Sequence, residues 1–300
     1  MKLKYSDDRK VFNIHTDGIP CLSFDMFDSL GVPNLFTTRY ISYDRESETG
    51  VKGLRCAVMK TESVEEASPI CRANRDILAH QLGSSLEMEL VTDQKHTNYV
   101  HVATCEEDLG VATVGSFSLH RQYVDGIVTD IPDALLTVFG GDCPPVYIVD
   151  PKRRAAGLVH AGWKGTLGRI PQVAVAQMTV KFGCDPADMY AAIGPGVCRD
   201  CYEMGDEVYD AFAAQWSRED ADLILSRYPA KDADGKEIPG GKYHLDLREA
   251  NKLTLLRAGI PADHIAVSNV CTMCNVDTFY SYRGRALENE QVAMLVNRFE

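Results

Sequence analysis

The sequence predicts a mixed α/β domain, layered and of the α+β type, and three observations lead there. Short apolar or alternating runs bounded by turn residues recur at 110–117, 134–139, 146–149, 155–159 and 190–193, as strands do. Longer segments suited to helices occupy 64–82, 172–182, 206–215, 247–258 and 289–298. The two kinds do not alternate strictly, and the strands are too many for a helix bundle, so layers of sheet and helix are expected.

Taken in order, the 134–139 strand leads into Gly141-Asp142-Cys143-Pro144-Pro145, where two prolines fix the backbone and end strand pairing. The 146–149 strand follows, and the 155–159 strand ends at His160-Ala161-Gly162. In 172–182, Val173, Val175, Ala176, Val180 and Phe182 fit helical spacing. Residues 228–242 read as a loop insertion, with Asp232-Ala233-Asp234-Gly235 and Pro239-Gly240-Gly241 as turn signals. Residues 1 to about 33 read as an N-terminal extension to one domain spanning 1–300, and no repeat or low-complexity tract divides it.

Bulk properties narrow the partners. With 300 residues, 45% hydrophobic and 25% charged, the composition is that of a globular protein. A net charge of -12 argues against nucleic acid or an anionic membrane as the main partner. No apolar run approaches the roughly 20 residues of a membrane span. The polar start, Met1 to Lys10, lacks the apolar core of a signal peptide, so a cytoplasmic location is expected. In such a compartment the ten cysteines are thiols or metal ligands rather than a disulfide framework.

Cys143 and His160 each border an apolar strand-like run, and Gly and Pro surround both. A soft sulfur and an imidazole on adjacent strands suit zinc, and His96 supplies a third candidate ligand. Three ligands leave one position open, which marks a catalytic rather than a structural zinc. A hydrolytic Cys143–His160 pair competes for the same residues. The Gly-rich turn from Ala161 through Lys164 to Arg169 reads either as an anion site at a helix start or as a tight turn for packing; it lacks P-loop spacing. Cys198-Arg199-Asp200-Cys201 and Cys271-Thr272-Met273-Cys274 are both CxxC. They stand too far apart for a zinc-ribbon spacing, and coincidence is the expectation.

From residue 34 onward the chain carries, in order, Asn34-Leu35-Phe36-Thr37-Thr38-Arg39, Gln94-Lys95-His96, Gly141-Asp142-Cys143-Pro144-Pro145-Val146 and Val159-His160-Ala161-Gly162-Trp163-Lys164-Gly165. Ala192-Ile193-Gly194-Pro195, Cys201-Tyr202-Glu203-Met204-Gly205, Leu245-Asp246-Leu247 with Ala250-Asn251, and Cys271-Thr272 follow. This series resembles the laccase-domain family once called multicopper polyphenol oxidoreductases. HAGW[RK]G is that family's most specific motif.

The resemblance implies a layered sandwich with a β-sheet core and helices outside. It implies a zinc-dependent purine nucleoside phosphorylase that takes adenosine, inosine, guanosine or methylthioadenosine with phosphate and also deaminates adenosine. The zinc ligands it implies are His96, Cys143 and His160, with His101 the alternative to His96. Asp142 is then a candidate proton shuttle, and Arg39, Arg283 and Lys164 are candidates for holding substrate or phosphate. Two other activities travel with the family: a copper-dependent polyphenol oxidase and a peptidoglycan-editing amidase. Eight histidines without a His-x-His pair disfavour the multicopper reading. The chain departs from the family pattern at Asp200, where a cysteine is usual, and at Asn289-Glu290-Gln291, where Gly-Arg is often found.

Overall fold

A strand that is apolar on both faces needs cover on both faces, and the strands over 145–150, 155–160 and 291–296 are buried along their whole length. The computed structural model describes residues 1–44, 46–47, 49–57, 64–110, 123–231 and 237–299. Strands β1 (Phe12–His15) and β2 (Cys21–Phe24), helix α1 (Asp25–Ser29) and β3 (Asn34–Thr37) open the chain. A small hairpin, β4 (Tyr40–Asp44) and β5 (Thr49–Lys52), precedes helix α2 (Val64–Gln81), β6 (Glu89–Val91) and β7 (Val100–Ala103). Then come β8 (Gly126–Thr129), β9 (Leu135–Gly140), β10 (Pro145–Asp150), β11 (Ala155–His160), α3 (Trp163–Leu167), α4 (Ile170–Phe182) and β12 (Tyr190–Ile193). The rest comprises β13 (Glu203–Met204), α5 (Asp206–Gln215), α6 (Arg218–Ile224), β14 (Leu225–Lys231), β15 (Glu237–Leu245), α7 (Leu247–Ala258), β16 (Ile265–Val267) and β17 (Gln291–Val296).

Two six-stranded sheets, ordered β1-β2-β3-β17-β9-β6 and β16-β12-β10-β11-β8-β7, stack face to face. The period of two decides which side chain goes where. On β10, Tyr147 and Val149 point between the sheets with Phe24, Leu136, Leu158 and Leu295, while Val146 and Ile148 point outward onto α4 and α7 with Ala174, Met178 and Leu255. On β17, Ala293 and Leu295 face inward, whereas Val292, Met294 and Val296 meet Leu78 and Ala79 of α2. The result is a mixed α+β sandwich with sheet inside and helices outside, as expected. A further three-stranded sheet, β13-β15-β14, packs with α5 and α6 around Phe212, Ile224 and Leu245.

Several elements match the sequence reading closely. Helices α5 and α7 have the expected bounds, and α7 shows why: the Asp246 carboxylate caps its start by accepting from Glu249 N, and Gly259 in the left-handed region (φ 102°) ends it. Two expectations fail. Of residues 289–298, expected as a helix, Gln291–Val296 form β17, paired antiparallel with both β3 and β9. A short continuous apolar run satisfies either period, and pairing on both edges decides for strand. Residues 228–242, expected as a loop, lie largely in the β14–β15 hairpin. The expected strand at 110–117 lies, beyond Gly110, outside the described residues.

Candidate metal centre

The β10–β11 hairpin brings Cys143 and His160 together. Its register sets Pro145 opposite His160, so Cys143 enters the hairpin at the end where His160 leaves it. Ala161 N donates to Pro144 O at 3.0 Å and fastens the two exits. His96 arrives from the loop between β6 and β7, with a left-handed backbone (φ 61°). Gln94 anchors that loop to β9, since its side-chain N donates to Phe139 O and its Oε1 accepts from Phe139 N, both at 2.7 Å. The Nε2 of His96 lies 3.9 Å from Cys143 Sγ, and the His96 ring stands edge-on to His160 with centroids 4.9 Å apart. One ligand atom from each of His96, Cys143 and His160 lies within 4.8 Å of the other two. His101, the alternative to His96, sits on β7 beside Asp108 and is not part of this cluster.

Asp125, which the sequence reading missed, organises the cluster. Its fully buried carboxylate accepts from Lys95 N (3.1 Å), His96 N (2.9 Å), Thr97 N (2.7 Å) and Thr97 Oγ1 (2.8 Å). It also meets His160 Nδ1 at 2.8 Å, which leaves Nε2 of that ring for a metal. Burial raises the Asp125 carboxyl, but His160 and these backbone donors outweigh it and hold it below its ordinary value. The only signal for it in the sequence is an acidic residue directly before the apolar strand β8, a pattern shared by many turns.

Burial also pushes the Cys143 thiol up, yet attraction from His160 and His96 prevails and holds it at about 7. The sulfur therefore reaches the thiolate form needed by a metal ligand near neutral pH. Burial pushes His160 down, and the Cys143 sulfur and Asp125 more than reverse that. A metal held there would displace the imidazole proton.

Gly162 packs its bare Cα closely against the cluster. A Cβ at this position would lie 2.7 Å from His96 Cδ2, 3.1 Å from Cys143 Sγ and 3.4 Å from His160 Cε1, so any larger residue puts a carbon against the three ligands. The rest of the Gly-rich turn is used for packing: a Cβ on Gly165 would press on Thr97 O at 2.8 Å, and Asn98 donates to Gly168 O. That favours the tight-turn reading over an anion site. Asn251 on α7 steadies α3 from behind through Thr166 Oγ1.

The other expected residues divide. The buried Asp142 has its carboxylate occupied: Oδ1 accepts from Thr272 Oγ1 (2.6 Å) and Ser281 Oγ (2.7 Å), and Oδ2 from Arg283 N (2.6 Å). Arg283 lays its guanidinium over the Tyr202 ring, 4.8 Å from the centroid. Burial and the neighbouring Cys143 sulfur push the Tyr202 hydroxyl up. Arg39 is tied down, donating to Glu288 Oε2 at 2.7 Å and Val276 O at 2.9 Å and covering the Tyr280 ring. Lys164 is exposed on α3, next to Trp163.

Residues 46–296 match the family described as multi-copper polyphenol oxidoreductase laccase. The purine nucleoside phosphorylase YlmD of Bacillus subtilis is 35% identical over 212 residues, 70% of each chain. The adenosine deaminase RL5, from an unknown prokaryotic organism, is 35% identical over 207 residues, 69% of this chain and 73% of its own. The crystal structure of YlmD from Geobacillus stearothermophilus superposes with a TM-score of 0.78 at 30% identity, covering 97% of this chain and all of the other. With most of its length matched in both sequence and fold, the chain belongs to the multi-copper polyphenol oxidoreductase laccase family.

Proposed function

We propose that the chain is a zinc-dependent enzyme of purine nucleosides that cleaves them with phosphate and also deaminates adenosine. The observation that carries this reading is the convergence of His96, Cys143 and His160 on the bare face of Gly162. Two imidazoles and a thiolate match zinc, and three protein ligands leave a position for substrate. The names of the two relatives supply the substrate class. Bound there, zinc supplies Lewis acidity and lowers the pKa of water toward neutrality.

The chain's own residues do the rest. Asp125 fixes the orientation of His160 and the His96 loop at once. In phosphorolysis a phosphate oxygen bonds to C1′ of the ribose while the bond to the purine nitrogen breaks, and the purine departs with the electron pair. Arg283 is the best placed cation for that phosphate: its backbone N donates to Asp142, the residue before Cys143, and no ion pair occupies it among the described residues. Lys164 is the second candidate. Arg39 is committed to Glu288 and shapes the wall instead. The three donors on Asp142 give it the task of setting Cys143 and Arg283 in place rather than moving protons. Among the described residues this is the single histidine-bearing cluster of three or more candidate ligands, which disfavours a multicopper oxidase.

The test is product analysis of metal-quantified protein with adenosine, with and without phosphate, beside Gly162→Ala and Cys143→Ala. Adenine and ribose 1-phosphate are expected only with phosphate, and inosine with or without it. Both variants should lose both activities. A folded, zinc-loaded protein that turns over no purine nucleoside would overturn the reading and bring the amidase activity forward.

A further inference from the structure

The two CxxC segments, far apart in sequence, meet in space. Each segment leads into a short 3-10 turn, Arg199–Cys201 and Met273–Asn275, and a bridge between Gly196 and Cys271 docks the two segments. Thr272 N donates to Gly196 O across the same junction. The four Sγ atoms all lie within 4.8 Å of one another, and those of Cys201 and Cys274 are 3.6 Å apart. Four sulfurs bound to one zinc at about 2.3 Å would be separated by about 3.8 Å. All four are free thiols, and the cluster contains no carboxylate or imidazole. Two backbone N–H groups, of Cys198 (3.2 Å) and Cys274 (3.4 Å), already point at Cys271 Sγ, as they do around metal-bound thiolates.

We propose that Cys198, Cys201, Cys271 and Cys274 bind a second zinc ion in a closed tetrathiolate site. With four protein ligands it has no open position, so its role is structural. Its placement gives that role a purpose. Cys201 directly precedes Tyr202, whose ring carries Arg283, and Cys271 directly precedes Thr272, which donates to Asp142. One ion thus fastens together the two loops that wall the candidate catalytic centre. The assignment is independent of which reaction occurs there.

Elemental analysis of protein purified under reducing conditions with zinc supplied tests it. Wild type should carry two zinc ions per chain. Cys201→Ser/Cys274→Ser should carry one, and Gly162→Ala should also carry one, lost from the other site. Cobalt loaded into Gly162→Ala should give the sulfur-to-cobalt charge-transfer bands of a tetrathiolate site, which settles the matter even where the double-serine variant fails to fold. Unchanged zinc content in the folded double-serine variant, absence of those bands, iron in place of zinc, or a Cys201–Cys274 disulfide in thiol-blocked protein would each overturn the proposal.

Discussion

Asp125 touches both the backbone that presents His96 and the ring of His160, so one carboxylate sets the directions of two candidate ligands. Asp125→Asn keeps the size but replaces one acceptor oxygen with a donor, which opposes the N–H groups of residues 95–97. Metal affinity should fall roughly 10- to 100-fold, measured by competition with a chromophoric chelator; unchanged affinity would remove the orienting role. Cys143 and His160 could be read from the sequence because a cysteine and a histidine in Gly/Pro-rich settings are chemically suggestive, and His96 through the Gln94-Lys95-His96 motif. Asp125 could not, because a lone aspartate ahead of a strand looks like any turn residue until its five contacts are seen. The sequence names Asp142 as a candidate proton shuttle but cannot show its partners, because Thr272 and Ser281 come from far along the chain.

At the scale of elements, α2 is fixed to the first sheet partly by charge. Arg75 on α2 and Glu89 on β6 face each other at 3.2 Å with both side chains about 1% exposed. Burial raises the Glu89 carboxyl, and Arg75 counters it. Removing one member leaves the other charge buried alone, so Arg75→Met should cost about 3–5 kcal/mol of stability. The paired replacement Arg75→Met/Glu89→Leu should recover most of that in denaturant unfolding. Equal losses from the single and double variants would show that the pair does not act as a unit. Helices α5 and α7 could be read from caps and period, which are local. The strand β17 could not, since Val292 to Val296 is apolar at every position and its partners β3 and β9 lie far away in sequence.

For the whole molecule, the sequence indicated layers but not which strands adjoin. Strand order depends on pairings across the chain, and β17 between β3 and β9 is the plainest case. Metal binding should couple to this global fold. An ion that binds the folded chain alone adds about 2.7 kcal/mol at a free concentration 100 times its Kd. Prolonged chelation should therefore lower the melting temperature by several degrees, and zinc should restore it; a melting temperature indifferent to chelator would exclude the linkage. The pairing of Pro145 with His160 carries this further. A slip of one residue in that hairpin would turn His160 to the opposite face of its sheet and carry it away from Cys143. An ion held by His96, Cys143 and His160 would then act as a proofreader of strand alignment, since a chain that had collapsed with its strands misaligned could not retain it, and metal uptake during refolding would time the moment at which β10 and β11 lock.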